Sequence, residues 1–154
     1  MDALTAAVED PATADVKALL IRHFEMMRAG SPEESCHVTP PDSFGEQDET
    51  LLGVRRDGVL LGIGAIKEIA PGHGELKSMH TAAEARGQGV ARVILEALLA
   101  EATQQGLTRL SLETGSAEMF APARTLYESA GFETCPPFGD YVVDPLSVFM
   151  TRVV

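Results

Sequence analysis

The stretch "EARGQGVA", from Glu84 to Ala91, differs from what surrounds it: an arginine, a glutamine and two glycines stand directly ahead of a strongly helical run. Glycine costs about 1 kcal/mol against alanine inside a helix, so a sequence seeking only helical stability gains nothing from two of them. A strand, a short turn and then this helix start gather unpaired backbone N–H groups and the positive end of the helix dipole at one point. Gly87 and Gly89 let that backbone approach an anion with no Cβ in the way, and Arg86 and Arg92 add positive charge at its edge. The chemistry available there is phosphate or pyrophosphate binding; the alternative is a plain tight turn with solvent-facing arginines. Two other phosphate motifs are excluded. The stretch lacks the G-K-[ST] ending of a nucleoside triphosphate loop, and it lacks the third glycine and the downstream ribose-binding acid of a dinucleotide fingerprint.

Other reactive side chains are sparse. His73 and His80 have no third ligand at a supportive spacing, and Cys36 and Cys135 lie far apart without a C-x-x-C pattern, so neither a zinc site nor a disulfide framework is expected. Cys135 has no adjacent base or thiolate-stabilising charge and makes a poor nucleophile. The formal charge of -11 disfavours nucleic acid as a partner. No apolar run reaches the roughly 18 residues needed to span a membrane, and the acidic start "MDALTAAVEDPATADV" lacks a basic signal region, so the expected location is cytoplasmic, with no membrane partner. A chain of 154 residues, 45% hydrophobic and 23% charged, fits one domain over 1–154.

The elements that must position the glycine loop follow from periodicity. "TADVKALLIRHFEMMRAG" carries Val16, Leu19, Leu20, Phe24 and Met27 on one helical face and ends at Gly30. The proline- and acid-rich Ser31 to Asp48 predicts a loop. "TLLGVRRDGVLLGIGAIKEI" predicts two antiparallel strands about an Asp57-Gly58 turn. "PGHG" makes another turn, and a third strand runs from Glu75 to Thr81. A helix with Val90, Ile94 and Leu98 on its buried face ends at Gly106. "LTRLSLE" alternates as a strand, "EMFAPARTLYESAGF" is a helix with Pro122 early in it, and "FETC" and "SVFMTRV" close the chain as strands. The order α, β hairpin, β, α, β, α, β, β describes a mixed α/β sheet.

With these elements in place, Arg86-Gly87-Gln88-Gly89-Val90-Ala91 resembles the R/Q-x-x-G-x-G/A signature of the GCN5-related N-acetyltransferases (GNAT). "ARTLYESAGFE", Ala123 to Glu133, resembles the same family's later motif, a helix carrying L-Y followed by G-F, at the expected separation. The segments "GELKSMHT", "LSLETGS", "PFGDY" and "DPLSVFM" look like a bacterial branch of small single-domain acetyltransferases. The resemblance covers nearly the whole chain. It implies an α/β (α+β) fold with a mixed, mostly antiparallel central sheet flanked by helices on both faces, and acetyl-coenzyme A as cosubstrate without a metal.

The resemblance also distributes roles. The glycine loop, Arg86 to Arg92, holds the pyrophosphate. Met79, His80 and Thr81 on the third strand run beside the pantetheine arm, with a backbone N–H near Met79 facing the thioester carbonyl. Glu113, Thr114 and Ser116, close to this region in sequence rather than part of either motif, are expected to supply polar contacts to the cofactor arm. Tyr127 takes the general acid's place: a phenol of pKa about 10 facing a thiolate whose conjugate acid lies near about 8.5. Glu75 is the first choice of general base, acting through water, with Glu113 as the alternative. His80, His37 in "SPEESCH" and Tyr141 in "CPPFGDY" are placed toward the acceptor. One departure stands out: many relatives carry an asparagine seven residues before the tyrosine, and here that position is Phe120. The activity implied is direct acetyl transfer, in a ternary complex, to a small amine or amino-acid-like acceptor. The alternatives are a protein lysine or N-terminal acetyltransferase and a noncatalytic acyl-coenzyme A sensor; a homodimer is compatible with each.

Overall fold

The computed structural model describes residues 3–30 and 49–154, so His37 and the rest of "SPEESCH" lie outside the described residues. The described chain runs β1 (Thr5–Val8), α1 (Ala14–Gly30), β2 (Glu49–Arg56), β3 (Val59–Ala70), β4 (His73–Thr81), α2 (Val90–Gln104), β5 (Arg109–Gly115), α3 (Ala121–Ser129), β6 (Glu133–Cys135) and β7 (Ser147–Val153). One sheet takes all the strands in the order β1-β2-β3-β4-β5-β7-β6. Among the described strands only β4 and β5 pair in parallel, joined by the right length of crossover for a helix, α2.

The expected elements are present, with differences at their ends. β1 has no counterpart in the sequence reading: it is an edge strand with Val8 65% exposed, so no inward-outward alternation marks it. β4 begins at His73 rather than Glu75, because the turn is confined to Pro71 and Gly72. The last helix begins at Ala121, after a separate 3₁₀ turn over Glu118–Phe120. Asp57 and Gly58 both take positive φ, 52° and 79°, as the two-residue hairpin requires.

Helices cover both faces. Val90 of α2 lies over Gly62, and Ile94 and Leu98 lie over Gly64, where a Cβ would stand within 2.8 Å of each of them. Arg92 donates to the Ser129 hydroxyl at 3.1 Å and Arg152 to the Ala130 carbonyl at 2.5 Å, which ties α3 to the same face. α1 packs on the opposite face, burying Val16, Leu19, Leu20 and His23. The core between these layers is built from Ile63, Ile66, Leu76, Ile94, Leu95, Leu98, Leu110 and Leu112. Gly62 pairs with Thr81 and Ile63 with His80, so on β4 Thr81 shares the α2 face and His80 the α1 face.

Candidate active site

The parallel joint is short. β4 and β5 pair from His73 with Arg109 to Leu76 with Leu112, and there the ladder ends. Beyond it β4 stays with β3 as far as Thr81, while β5 stays with β7 as far as Gly115. The two strands splay, and the half of β4 from Lys77 to Thr81 faces a gap on its β5 side. A bulge sits in this half: Ala65 pairs with Lys77 and Ile63 with His80, so Ser78 and Met79 stand opposite Gly64 alone. Ser78 takes φ 58°, in the left-handed region that a serine rarely adopts, and its buried hydroxyl has no hydrogen-bond partner. The Met79 sulfur packs into the α2 layer, 2.7 Å from where a Gly64 Cβ would be. What Met79 offers the gap is its backbone.

The glycine loop closes one end of this gap. β4 leads through a 3₁₀ turn over Ala83–Ala85 into Arg86 and the start of α2. Gly89 is the N-cap residue with φ 81° and Gly87 has φ 78°, and no side chain caps the exposed N–H groups. A helix start left uncapped by side chains can donate these N–H groups to an anion. The Gln88 side chain turns the other way, accepting from Arg56 at 2.8 Å and donating to the Glu84 carbonyl at 3.4 Å. Arg56, at the end of β2, is a cation beside the loop that no sequence motif marks.

Polar groups gather on the α1 face of the sheet. Glu49, Lys67, Glu75, Ser111 and Thr151 stand in register across β2, β3, β4, β5 and β7. Glu75 is 6% exposed and accepts the Tyr141 hydroxyl at 2.5 Å. Tyr141 packs against Phe138 and Phe149, which brings the loop after β6 over this face. Glu113 lies on the same face of β5, two residues beyond Ser111. Burial pushes its carboxyl up to about 7; the neighbouring Glu75 and Asp144 charges push the same way and Ser147 works against them. Burial also raises the Glu49 carboxyl, whose oxygens have no hydrogen-bond partner. His73 meets the Ser111 hydroxyl at 2.7 Å, and no group of three or more metal-ligating side chains occurs among the described residues.

Tyr127 lies on the other side, in α3. It is 6% exposed and packs edge-on against Phe132, and burial holds its phenol well above the usual tyrosine range. Phe120, in the position where many relatives have asparagine, lays its ring over Gly115, where a Cβ would come within 2.1 Å of it. Arg124 donates to the carbonyls of Gly115 and Ala117 at 2.6 and 3.0 Å. This end of β5 is therefore held by an aromatic lid and an arginine clamp. Of the residues singled out in the sequence, the structure brings Glu75 and Tyr141 into direct contact and places Glu113 on their face of the sheet. Tyr127 lies on the opposite face, and Arg92 is turned to Ser129.

A splayed parallel joint, an uncapped glycine-rich helix start at its end and a bulged strand between them define an acyl-transferase architecture. The model of the Acetyltransferase (GNAT) family matches residues 16–132, and the chain belongs to that family, whose members use acetyl-coenzyme A. The N-acetyltransferase YsnE of Bacillus subtilis (strain 168), itself uncharacterized, is 43% identical over 145 residues, covering 94% of this chain and 96% of that one. The IAA acetyltransferase of Azospirillum brasilense is 36% identical over 153 residues, 99% of each chain. A crystal structure from Klebsiella pneumoniae subsp. pneumoniae MGH 78578 is 30% identical, covers 97% of each chain and matches with a TM-score of 0.78.

Proposed function

We propose that this acetyltransferase moves the acetyl group of acetyl-coenzyme A to a small amine by direct attack within a ternary complex. The observation that carries the reading is the gap between β4 and β5, with the buried Glu75 and half-buried Glu113 carboxyl groups on one face of the sheet and a buried phenol on the other. The pyrophosphate sits on the N–H groups of Gly87 to Ala91, with Arg86 beside it and Arg92 behind. The pantetheine arm pairs with Met79 to Thr81, and Thr114 borders it on β5. The Met79 N–H faces the thioester oxygen, where charge develops during attack.

Proton handling divides between the faces. The sequence reading puts Glu75 first as base, but its Oε2 is already taken by the Tyr141 hydroxyl. Glu113, held near neutrality, suits a base that must be ionised at working pH yet still hold a proton. In this reading Glu113 takes the proton, Glu75 and Tyr141 shape the acceptor side, and Tyr127 supplies a proton to the departing thiolate. The raised Tyr127 pKa leaves that last transfer uphill, and the gap narrows because the same buried surroundings raise the proton affinity of the departing thiolate.

The test is release of free coenzyme A thiol with a panel of small amines, peptide N-termini and lysine peptides, with IAA added because of the Azospirillum relative's name. Turnover is expected with a small primary amine. Tyr127→Phe is expected to lower kcat about tenfold or more with the calorimetric Kd of acetyl-coenzyme A unchanged. Turnover with peptides alone would shift the reading to protein modification. Tight cofactor binding with no acceptor turned over would favour a sensor.

A further inference from the structure

Two imidazoles meet across the acceptor side of the sheet. His23 of α1 and His80 of β4 bring their Nδ1 atoms to 3.1 Å, with ring planes at 73° and centroids 5.1 Å apart. His23 is 7% exposed. Burial holds both rings neutral: His23 falls to about 3, with the facing His80 a second cause, and His80 falls to about 4, with Arg86 and Arg22 adding to burial. A hydrogen bond between two neutral Nδ1 atoms needs one N–H and one lone pair. Each neutral ring carries a single proton, so the two tautomers are locked together. The ring that donates through Nδ1 presents a bare Nε2, and the ring that accepts carries its proton on Nε2.

The surroundings favour one arrangement. The charges acting on His80 are the guanidiniums of Arg86 and of Arg22, whose side chain is 58% exposed and stands 3.6 Å from the Glu84 carboxylate, whereas the His80 Nδ1 is engaged by buried His23. Positive charge acting on a ring whose Nδ1 is engaged by a partner favours a lone pair over an N–H at the nitrogen left free, Nε2. The geometry points to His80 as a hydrogen-bond acceptor, through Nε2, for an N–H of the incoming amine, with His23 as the positioning residue that accepts a hydrogen bond from the His80 Nδ1–H. His80 follows Met79 directly, so the group that orients the amine stands one residue from the amide that faces the thioester. No proton changes owner at His80; it turns the amine's lone pair toward the carbonyl carbon, and Glu113 remains the base. The inference rests on the acetyl-transfer reading and names a residue pair that the glycine and tyrosine motifs do not contain.

The experiment begins with histidine-ring nitrogen NMR of the unliganded protein. His80 is expected to carry its proton on Nδ1 and His23 on Nε2; the reverse assignment overturns the inference and leaves acetyl transfer untouched. Kinetics with the fastest amine of the panel then separate positioning from support. Asparagine can place an acceptor oxygen near the original Nδ1, and leucine cannot. His23→Leu is expected to raise the amine KM about tenfold and His23→Asn less than about threefold, each with the Kd of acetyl-coenzyme A unchanged. Equal effects of the two variants, or a loss seen only in Tm, overturn the positioning role. Absence of acetyl-coenzyme A binding in the unmutated protein would instead count against the acetyl-transfer reading, while the ring spectra still decide the tautomer.

Discussion

A carboxyl group pushed up to about 7 by burial, as Glu113 is, spends the lower part of the physiological range protonated and useless as a base. Turnover is therefore expected to fall as pH drops through about 7, and Glu113→Gln is expected to be slow throughout and to lose that limb. A pH-rate profile decides it: an unchanged acid limb in the variant returns the base to Glu75 or to water. The same shift acts on stability with a definite sign. Between the ordinary value of 4.5 and about 7 the folded state holds the Glu113 proton more tightly than the unfolded chain, so stability from this group is lost as pH rises through that window. His23 and His80 act oppositely. Both are neutral when folded, so their contribution is lost as pH falls below the unfolded value of 6.5. Tm measured from pH 5 to 7 is expected to rise more steeply in Glu113→Gln than in the unmutated protein, and less steeply in His23→Leu.

At the level of the elements, α2 owes its site to the backbone ahead of it. A Cβ on Gly89 would meet nothing within 4 Å, so substitution there is penalised by φ 81° alone. Gly89→Ala is expected to cost about 1 kcal/mol of stability and about tenfold in acetyl-coenzyme A affinity, because relaxing that φ turns the loop's N–H groups away. Calorimetry with unchanged Kd would remove the phosphate role from the loop. This loop, the Asp57-Gly58 hairpin and the Gly106 and Gly131 helix ends could be read from the sequence, because each depends on a local backbone requirement met by a local residue type. The β4 bulge could not: it places a serine rather than a glycine at φ 58°, and strand periodicity carries no warning of it. Nor could the histidine pair. His23 does continue the spacing of Val16, Leu19 and Leu20, a clue the sequence reading gave instead to Phe24, but its partner is 57 residues away and no one-dimensional pattern connects them.

For the whole molecule, the β4–β5 joint means the sheet is two pieces of fabric with one short seam. β1 to β4 are laced by antiparallel pairs on one side, β5, β7 and β6 on the other, and four register pairs stitch the pieces together. A seam this short has little cohesion of its own, so amides on the two sides are expected to exchange hydrogen in two separable units. A molecule lying along the open end of the seam touches both pieces and is stabilised only when they are together, so it acts as an added stitch. Hydrogen exchange followed by mass spectrometry is expected to show the two units merging when acetyl-coenzyme A is added, with the largest slowing at Leu76 and Leu112, where the lacing stops. By that measure the donor is also a transient structural member of the enzyme, and each turnover that releases coenzyme A loosens the sheet for the next.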